Sequence, residues 1–390
     1  MDMGYPPEGI RVLFFISDLG GGGAEKSMVN LLSYISRNKT LIKPLLVLLS
    51  PPDDSPYKDL LPQDTEVIVI GRASDSSFRK VHQFVRFLGT VRKYRPQVIY
   101  SMLTQKNLMS ILAGHICRTK VIASEHNILS EIIKTRDAGR ILWFRVATLV
   151  KILYRHADKI LAISDGVKAD LIERFNVPAD RIQVIYNLID IDKIKELSAE
   201  EPGHPFFQGQ APVVLGIGRM VPQKAFDTLL RAFKMVLQKM DARLIILGEG
   251  AERYIYEKLA DDLGIGGNVS FPGFRQNPYA FLSRAHAFVL SSRFEGMPTV
   301  LLEALACGAP VVSTDCRSGP REILLGGRCG LLVPVGDEHA LSEGILRVLG
   351  NERLRGELSV SARERALDFS IDRIFKQYES AIREVANGNR

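Results

Sequence analysis

Two glutamates separated by seven residues stand in the stretch SSRFEGMPTVLLEALACGAPVV (291–312). Glu295 follows an apolar run and lies in a loop. Gly296, Met297 and Pro298 then open a helix that carries Thr299 and Glu303. A helix start presents backbone N–H groups that have no partner within the helix. A carboxylate in the loop and another one turn along the helix can accept hydrogen bonds from vicinal hydroxyls on two different rings. An acid placed at a helix start and an ordinary helical glutamate explain the same spacing.

Upstream, GIGRMVPQKAFDTLL (216–230) sets Gly218, Arg219, Pro222 and Lys224 between an apolar run and a helix. Two cations five residues apart at a helix start can clamp both phosphates of a diphosphate, Arg as a planar fork and Lys as a point charge. Solvated surface cations are the plain alternative, but a position after a domain's first strand favours the clamp. Near the N-terminus, DLGGGGAEKS (18–27) places Gly20, Gly21, Gly22 and Gly23 ahead of a helix. Such a loop lets backbone N–H groups approach a ligand closely. Glu25 stands where a dinucleotide fingerprint or a P-loop needs glycine, so both spellings fail. Asp190 and Asp192 form a DxD triplet that reads better as a helix cap than as a metal motif.

These loops need a scaffold that ends strands beside one another. Apolar runs of four to seven residues recur at 12–17, 45–49, 66–70, 97–100, 120–124, 159–164 and 182–186, with helix-length segments between them. Runs of this kind are parallel strands buried on both faces. The Pro- and Gly-rich stretch 197–212 reads as a linker. The pattern restarts at 213–218, 243–248, 268–274, 287–292 and 310–314. The expected organisation is an α/β domain over 1–196, the linker 197–212, a second α/β domain over 213–369 and a terminal helix over 370–390. Ligands of doubly wound domains bind at the carboxyl ends of the strands, here in a cleft that the two domains face. Ile371, Ile374, Phe375, Tyr378, Ile382 and Val385 share helical spacing, so the terminal helix packs back on the fold.

The chain has 390 residues and a formal charge of +7. Its composition, 46% hydrophobic and 24% charged, excludes a disordered tail protein or a collagen-like chain. Cys117, Cys307, Cys316 and Cys329 form no CxxC pair, which argues against a zinc site or disulfide framework and for a reducing cytoplasm. The first apolar run is too short for a signal sequence, and no stretch reaches the ~18 apolar residues of a spanning helix. The positive excess is uneven: residues 1–200 hold 28 Lys+Arg against 22 Asp+Glu. It concentrates at 72–95 and 134–159. In 132–155, Ile132, Ile133, Trp143, Phe144, Leu149 and Ile152 interleave with cations. That spacing reads as a basic amphipathic helix for an anionic membrane surface, or equally as a helix packed on the domain with a solvated face.

The GGxxEK loop, GRMVPQK, FPGF (271–274) and the E-x7-E block together resemble the large retaining glycosyltransferase family with the GT-B fold, glycosyltransferase family 4. The resemblance covers most of the chain and implies transfer of a hexose or N-acetylhexosamine from a nucleotide-diphospho-sugar, UDP- or GDP-linked. It implies a glycan or lipid-linked glycan acceptor in cell-surface polysaccharide or lipopolysaccharide synthesis, and no essential metal or other cofactor. Residue by residue, it implies that Arg219 and Lys224 bind the donor diphosphate, with Gly218 before them. Glu295 contacts donor-sugar hydroxyls, and Gly296, Met297, Pro298 and Thr299 complete that side of the donor site. Glu303 holds the ribose, Phe274 and Arg275 border the base, and Gly21 and Gly22 lie near the phosphates and acceptor. His126, in ASEHN, matches a histidine that contacts the sugar. The leaving diphosphate takes the acceptor proton, so no covalent nucleophile is required.

Two alternatives remain at this point. A nucleotide-sugar epimerase or hydrolase can use the same two-domain plan. A nucleic-acid or membrane binding module fits the basic balance, but the excess covers one half only and no nucleic-acid signature accompanies it. A nucleic-acid partner is therefore not expected.

Overall fold

The computed structural model describes residues 9–38, 40–53, 55–71, 79–135 and 140–388, with the backbone alone at 79, 135 and 140–143. The chain forms two compact units. One holds the residues up to Leu188 and from Ile371 onward, and the other is Ile189–Ser370. The stretch 197–212 lies in the second unit, where it includes the short 3-10 turn Pro205–Phe207.

The first unit is built on seven parallel strands: β1 (Ile10–Ile16), β2 (Ile42–Leu48), β3 (Glu66–Val69), β4 (Val98–Met102), β5 (Lys120–Glu125), β6 (Lys159–Ala162) and β7 (Ile182–Val184). Their order is β3-β2-β1-β4-β5-β6-β7. β1 runs in register with β2 from Ile10 opposite Ile42 to Ile16 opposite Leu48, and pairs with β4 on its other side. Phe14 and Phe15 point to opposite faces of this central strand, and both are fully buried. That explains the unbroken apolar run: helices cover the sheet on both sides. The sheet order reverses between β1 and β4, so their carboxyl ends flank an open crevice.

The terminal helix Ile371–Asn387 belongs to this unit. Its apolar stripe buries Ile374, Phe375, Tyr378 and Ile382 in one core with Phe14 and Tyr100. The Tyr378 ring meets Tyr100 edge-on at 6.1 Å, and Phe375 lies 4.5 Å from the ring of Tyr34. The basic stretch 132–155 corrects the expectation of a single helix. Its described residues fall in two, Leu129–Thr135 and Arg140–Leu153.

The second unit has six parallel strands: β8 (Val213–Ile217), β9 (Arg243–Leu247), β10 (Val269–Gly273), β11 (Ala287–Leu290), β12 (Val311–Thr314) and β13 (Leu331–Val333). The order β10-β9-β8-β11-β12-β13 reverses between β8 and β11. Every apolar run named above is a strand. The edge strand β13 is an addition, three residues long and half-exposed, too short to stand out as a hydrophobic run.

Candidate active site

The reversal in the second unit brings the loop after β8 against the loop after β11. Besides a bond from the Arg293 guanidinium to the Pro222 carbonyl, five bonds join them. Ser291 Oγ donates to the Lys224 carbonyl (2.8 Å), and the Arg293 N–H donates to the Gln223 carbonyl (2.8 Å). Gln223 Nε2 donates to the Phe294 carbonyl (2.9 Å), and Arg293 pairs with Asp227 at 2.7 Å. The fifth is the one that matters chemically: Lys224 Nζ donates to Glu295 Oε1 at 2.6 Å, with side-chain exposures of 15% and 8%. Ser292 Oγ donates to the same oxygen at 2.6 Å. Both bonds fall on Oε1, and among the described residues no side-chain bond is made to Oε2, which can accept from a ligand. Gly218 lets the Lys224 stem lie on the backbone. A Cβ there would sit 3.1 Å from both Cδ and Cε of the lysine.

Past Glu295, Pro298 caps the helix Thr299–Cys307 without a side-chain cap bond. The loop after β12 fixes this helix start from beneath. Ser318 Oγ donates to the Gly296 carbonyl (2.8 Å). Gly319 has φ +85°, and a Cβ would come within 2.7 Å of the Pro298 ring and 2.9 Å of the Gly296 carbonyl. No side chain fits that position. Glu303 is buried one turn along the helix, where the Tyr279 hydroxyl donates to its Oε1 (3.2 Å). Burial, and then the Glu303 charge, hold Tyr279 well above its ordinary pKa, so it remains a donor. Cys316 lies close to Glu295, and burial pushes its thiol up to about 12, leaving it inert.

Arg219 is exposed beside this cluster and has no side-chain partner among the described residues. Phe274, 38% exposed, and the exposed Arg275 follow β10, two strands from β8. The structure thus brings Gly218, Lys224, Glu295, Gly296, Met297, Pro298, Thr299 and Glu303 to one sheet reversal and sets Phe274 and Arg275 at its flank. Asp190 caps the helix Ile191–Ser198, accepting from the Lys193 N–H (3.1 Å).

In the first unit the glycine loop closes β1. Gly21 has φ +87°, and its carbonyl accepts from the Tyr57 hydroxyl (3.1 Å). Gly22 caps the helix Gly23–Arg37 with no side chain to occupy the cap. His126 follows β5. Its ring is buried, Nε2 lies 3.0 Å from Ser124 Oγ, and Nδ1 has no partner among the described residues. Burial lowers its pKa to about 3, so the imidazole is neutral at physiological pH.

Two family models match the chain: Glycosyltransferase Family 4 over residues 21–193 and Glycosyl transferases group 1 over 199–365. The chain belongs to glycosyltransferase family 4. A Campylobacter jejuni relative of this glycosyltransferase is 28% identical over 363 residues, 91% of this chain and 94% of its own. It is the N-acetylgalactosamine-N,N'-diacetylbacillosaminyl-diphospho-undecaprenol 4-alpha-N-acetylgalactosaminyltransferase. The lipopolysaccharide core biosynthesis glycosyltransferase LpsE of Rhizobium meliloti is 33% identical over 211 residues, 54% of this chain and 59% of LpsE. Among solved structures, Anabaena HepE in complex with UDP and glucose superposes with a TM-score of 0.81 at 21% identity, covering 96% of this chain and 100% of HepE. That likeness shows that this glycosyltransferase has the GT-B fold.

Sequence reading did not single out Ser292, Ser318, Gly319, Tyr279 or the buried carboxyl of Glu125. The serine three residues before Glu295 was the one local signal. Tyr279 reaches Glu303 across 24 residues and Ser318 reaches Gly296 across 22, distances that spacing rules do not span.

Proposed function

We propose that this enzyme transfers a hexose or N-acetylhexosamine, with retention of configuration, from a UDP- or GDP-linked sugar to a lipid-linked glycan in cell-surface glycan synthesis. The observation that carries the reading is the Lys224–Glu295 pair at the sheet reversal, beside the helix start of Thr299–Cys307. As the bond from the sugar's anomeric carbon to the diphosphate oxygen breaks, negative charge grows on the diphosphate. Lys224, Arg219 and the N–H groups at the helix start meet that charge with donors already in place. Glu295 fixes Lys224 through Oε1 and accepts a sugar hydroxyl on Oε2. Glu303 takes the ribose hydroxyls. The acceptor hydroxyl attacks the same face that the diphosphate leaves, and its proton passes to the departing phosphate oxygen. His126, neutral throughout, holds a sugar hydroxyl through its unpartnered Nδ1. This chemistry asks for no metal.

The acceptor class rests on the relatives. The Campylobacter protein's name places its transfer on a diphospho-undecaprenol-linked acceptor, and LpsE is named for lipopolysaccharide core synthesis. Such acceptors lie at a membrane, and the first unit offers it a matching surface. Val85, Leu112, Ile116, Phe144 and Ile152 are exposed on three helices, with Thr104–Cys117 packed against both Arg79–Tyr94 and Arg140–Leu153. Arg92, Lys93, Arg145 and Lys151 are exposed beside them. An apolar surface ringed by cations suits peripheral binding to an anionic leaflet from the cytoplasm. No described helix is long and apolar enough to cross a membrane.

The test is a panel of UDP-N-acetylgalactosamine, UDP-N-acetylglucosamine, UDP-glucose, UDP-galactose and GDP-mannose with undecaprenyl-diphosphate-linked sugars. One donor should release its nucleoside diphosphate faster when acceptor is added. Release that ignores the acceptor, or a nucleotide-sugar converted to its epimer, overturns transfer in favour of hydrolysis or epimerisation.

A further inference from the structure

The carboxyl of Glu125 ends β5 and is completely buried. Four donors converge on it. Thr104 Oγ1 (2.9 Å) and the Tyr154 hydroxyl (2.7 Å) bond Oε2, and the His126 N–H bonds Oε1 at 3.1 Å. The Asn127 N–H is the fourth. The chain of bonds extends further. Asn107 Nδ2 donates to the Tyr154 hydroxyl (3.1 Å) and to the Ser124 carbonyl (2.9 Å), and Ser101 Oγ donates to Asn107 Oδ1 (2.9 Å). Ser101 lies on β4, Thr104 and Asn107 on the helix Thr104–Cys117, Tyr154 on the 3-10 turn Tyr154–His156, and Ser124 on β5. Leu103, immediately before Thr104, is held at φ +74°, ψ 140°, with its N–H on the Ser124 carbonyl (3.1 Å). A leucine in that left-handed conformation is strained and persists only where its surroundings over-determine it.

A structural tie between two strands needs no carboxyl group. An amide or a pair of apolar side chains would serve, and an uncompensated buried charge is costly. The group's arrangement instead has a direction, since it grips the backbone N–H of the residue whose ring nitrogen lacks a partner. We infer that Glu125 is a positioning residue, which with Thr104, Asn107 and Tyr154 fixes His126 for its sugar hydroxyl. This rests on the role given to His126 above.

The number of donors sets the active form. A carboxylate accepts all four bonds, whereas a protonated carboxyl or an amide brings a donor of its own and must give up at least one. Burial raises the Glu125 carboxyl to about 7, against the opposing pull of Tyr154, Thr104 and the two backbone N–H groups. Tyr154 is the titratable side chain that bonds it, and no charged side chain among the described residues contributes to the shift. His126 is neutral across the same range and contributes no inflection near neutrality.

The experiment is a double-mutant cycle in the full chain, with the donor of the panel that turns over fastest. Glu125→Gln should lower kcat about ten-fold at pH 8 with little change in the donor KM, and should behave at every pH as the wild type does below pH 6. In a His126→Ala background it should cost nothing further, within two-fold of about unity. If Glu125→Gln fails to fold, Tyr154→Phe replaces it and should show the same dependence on His126. An equal further loss in the His126→Ala background, or an inflection that survives Glu125→Gln, overturns the inference. Full turnover in His126→Ala alone instead refutes the histidine's role and removes the basis for this one.

Discussion

Glu125 and His126 are adjacent residues whose protonation the same burial drives in opposite ways. Glu125 rises from 4.5 to about 7 and His126 falls from 6.5 to about 3. Between pH 4.5 and 6.5 the folded chain holds a proton on Glu125 that the unfolded chain has lost. It lacks one on His126 that the unfolded chain binds. Glu125 alone therefore lowers stability as pH rises through this window, His126 alone raises it, and the two cancel. Single substitutions break the cancellation. Glu125→Gln should make stability rise with pH relative to wild type, and His126→Ala should make it fall, each by about 1.4 kcal/mol per pH unit at most. Urea denaturation at pH 4.5, 5.5 and 6.5 reads the slopes, and parallel curves for all three proteins contradict the shifts. At this scale Lys224, Glu295 and Glu303 were legible because each sits in a short run with a defined spacing. Glu125 was not, because its meaning depends on Tyr154 and Thr104, which lie 29 and 21 residues away in sequence.

At the scale of elements, the candidate residues lie at strand ends, at the reversal between β8 and β11 in one unit and beyond β1 and β5 in the other. The apolar runs showed the strands because parallel strands covered on both faces leave no polar alternation. β13 escaped because a three-residue edge strand buries too little to need one. The terminal helix was legible from its 3.6-residue stripe. Its attachment to the first unit was not, since nothing local records that Phe375 meets Tyr34. That contact can be tested. Phe375→Ala should destabilise the first unit by about 3–5 kcal/mol, the usual cost of emptying a buried aromatic site. Trp143 is the single tryptophan and belongs to that unit, so its fluorescence follows the transition. An unshifted fluorescence midpoint would mean that the helix contributes little there.

For the whole molecule, the net charge of +7 resolves into two roles. Two placed cations, Lys224 and Arg219, carry the diphosphate role proposed above in the second unit. The bulk of the excess lies before residue 200, on the unit with the exposed apolar helices. Anionic liposomes should therefore sediment the protein at low salt. Phe144→Asp or Arg92→Glu paired with Lys93→Glu should release it, while donor turnover in solution is retained. Failure to sediment with vesicles of 50% anionic lipid contradicts the surface assignment. The identity of the sugar was not legible at any scale. Epimeric donors differ by one hydroxyl, and no motif in the sequence encodes which one is read.

The most direct test of the account is steady-state turnover of Lys224→Ala beside the wild type, with folding checked by circular dichroism. Lys224 bonds Glu295 and, in the function proposed above, meets the leaving diphosphate, so kcat should fall about a thousand-fold in a folded protein. Turnover at the wild-type rate in folded Lys224→Ala would contradict it.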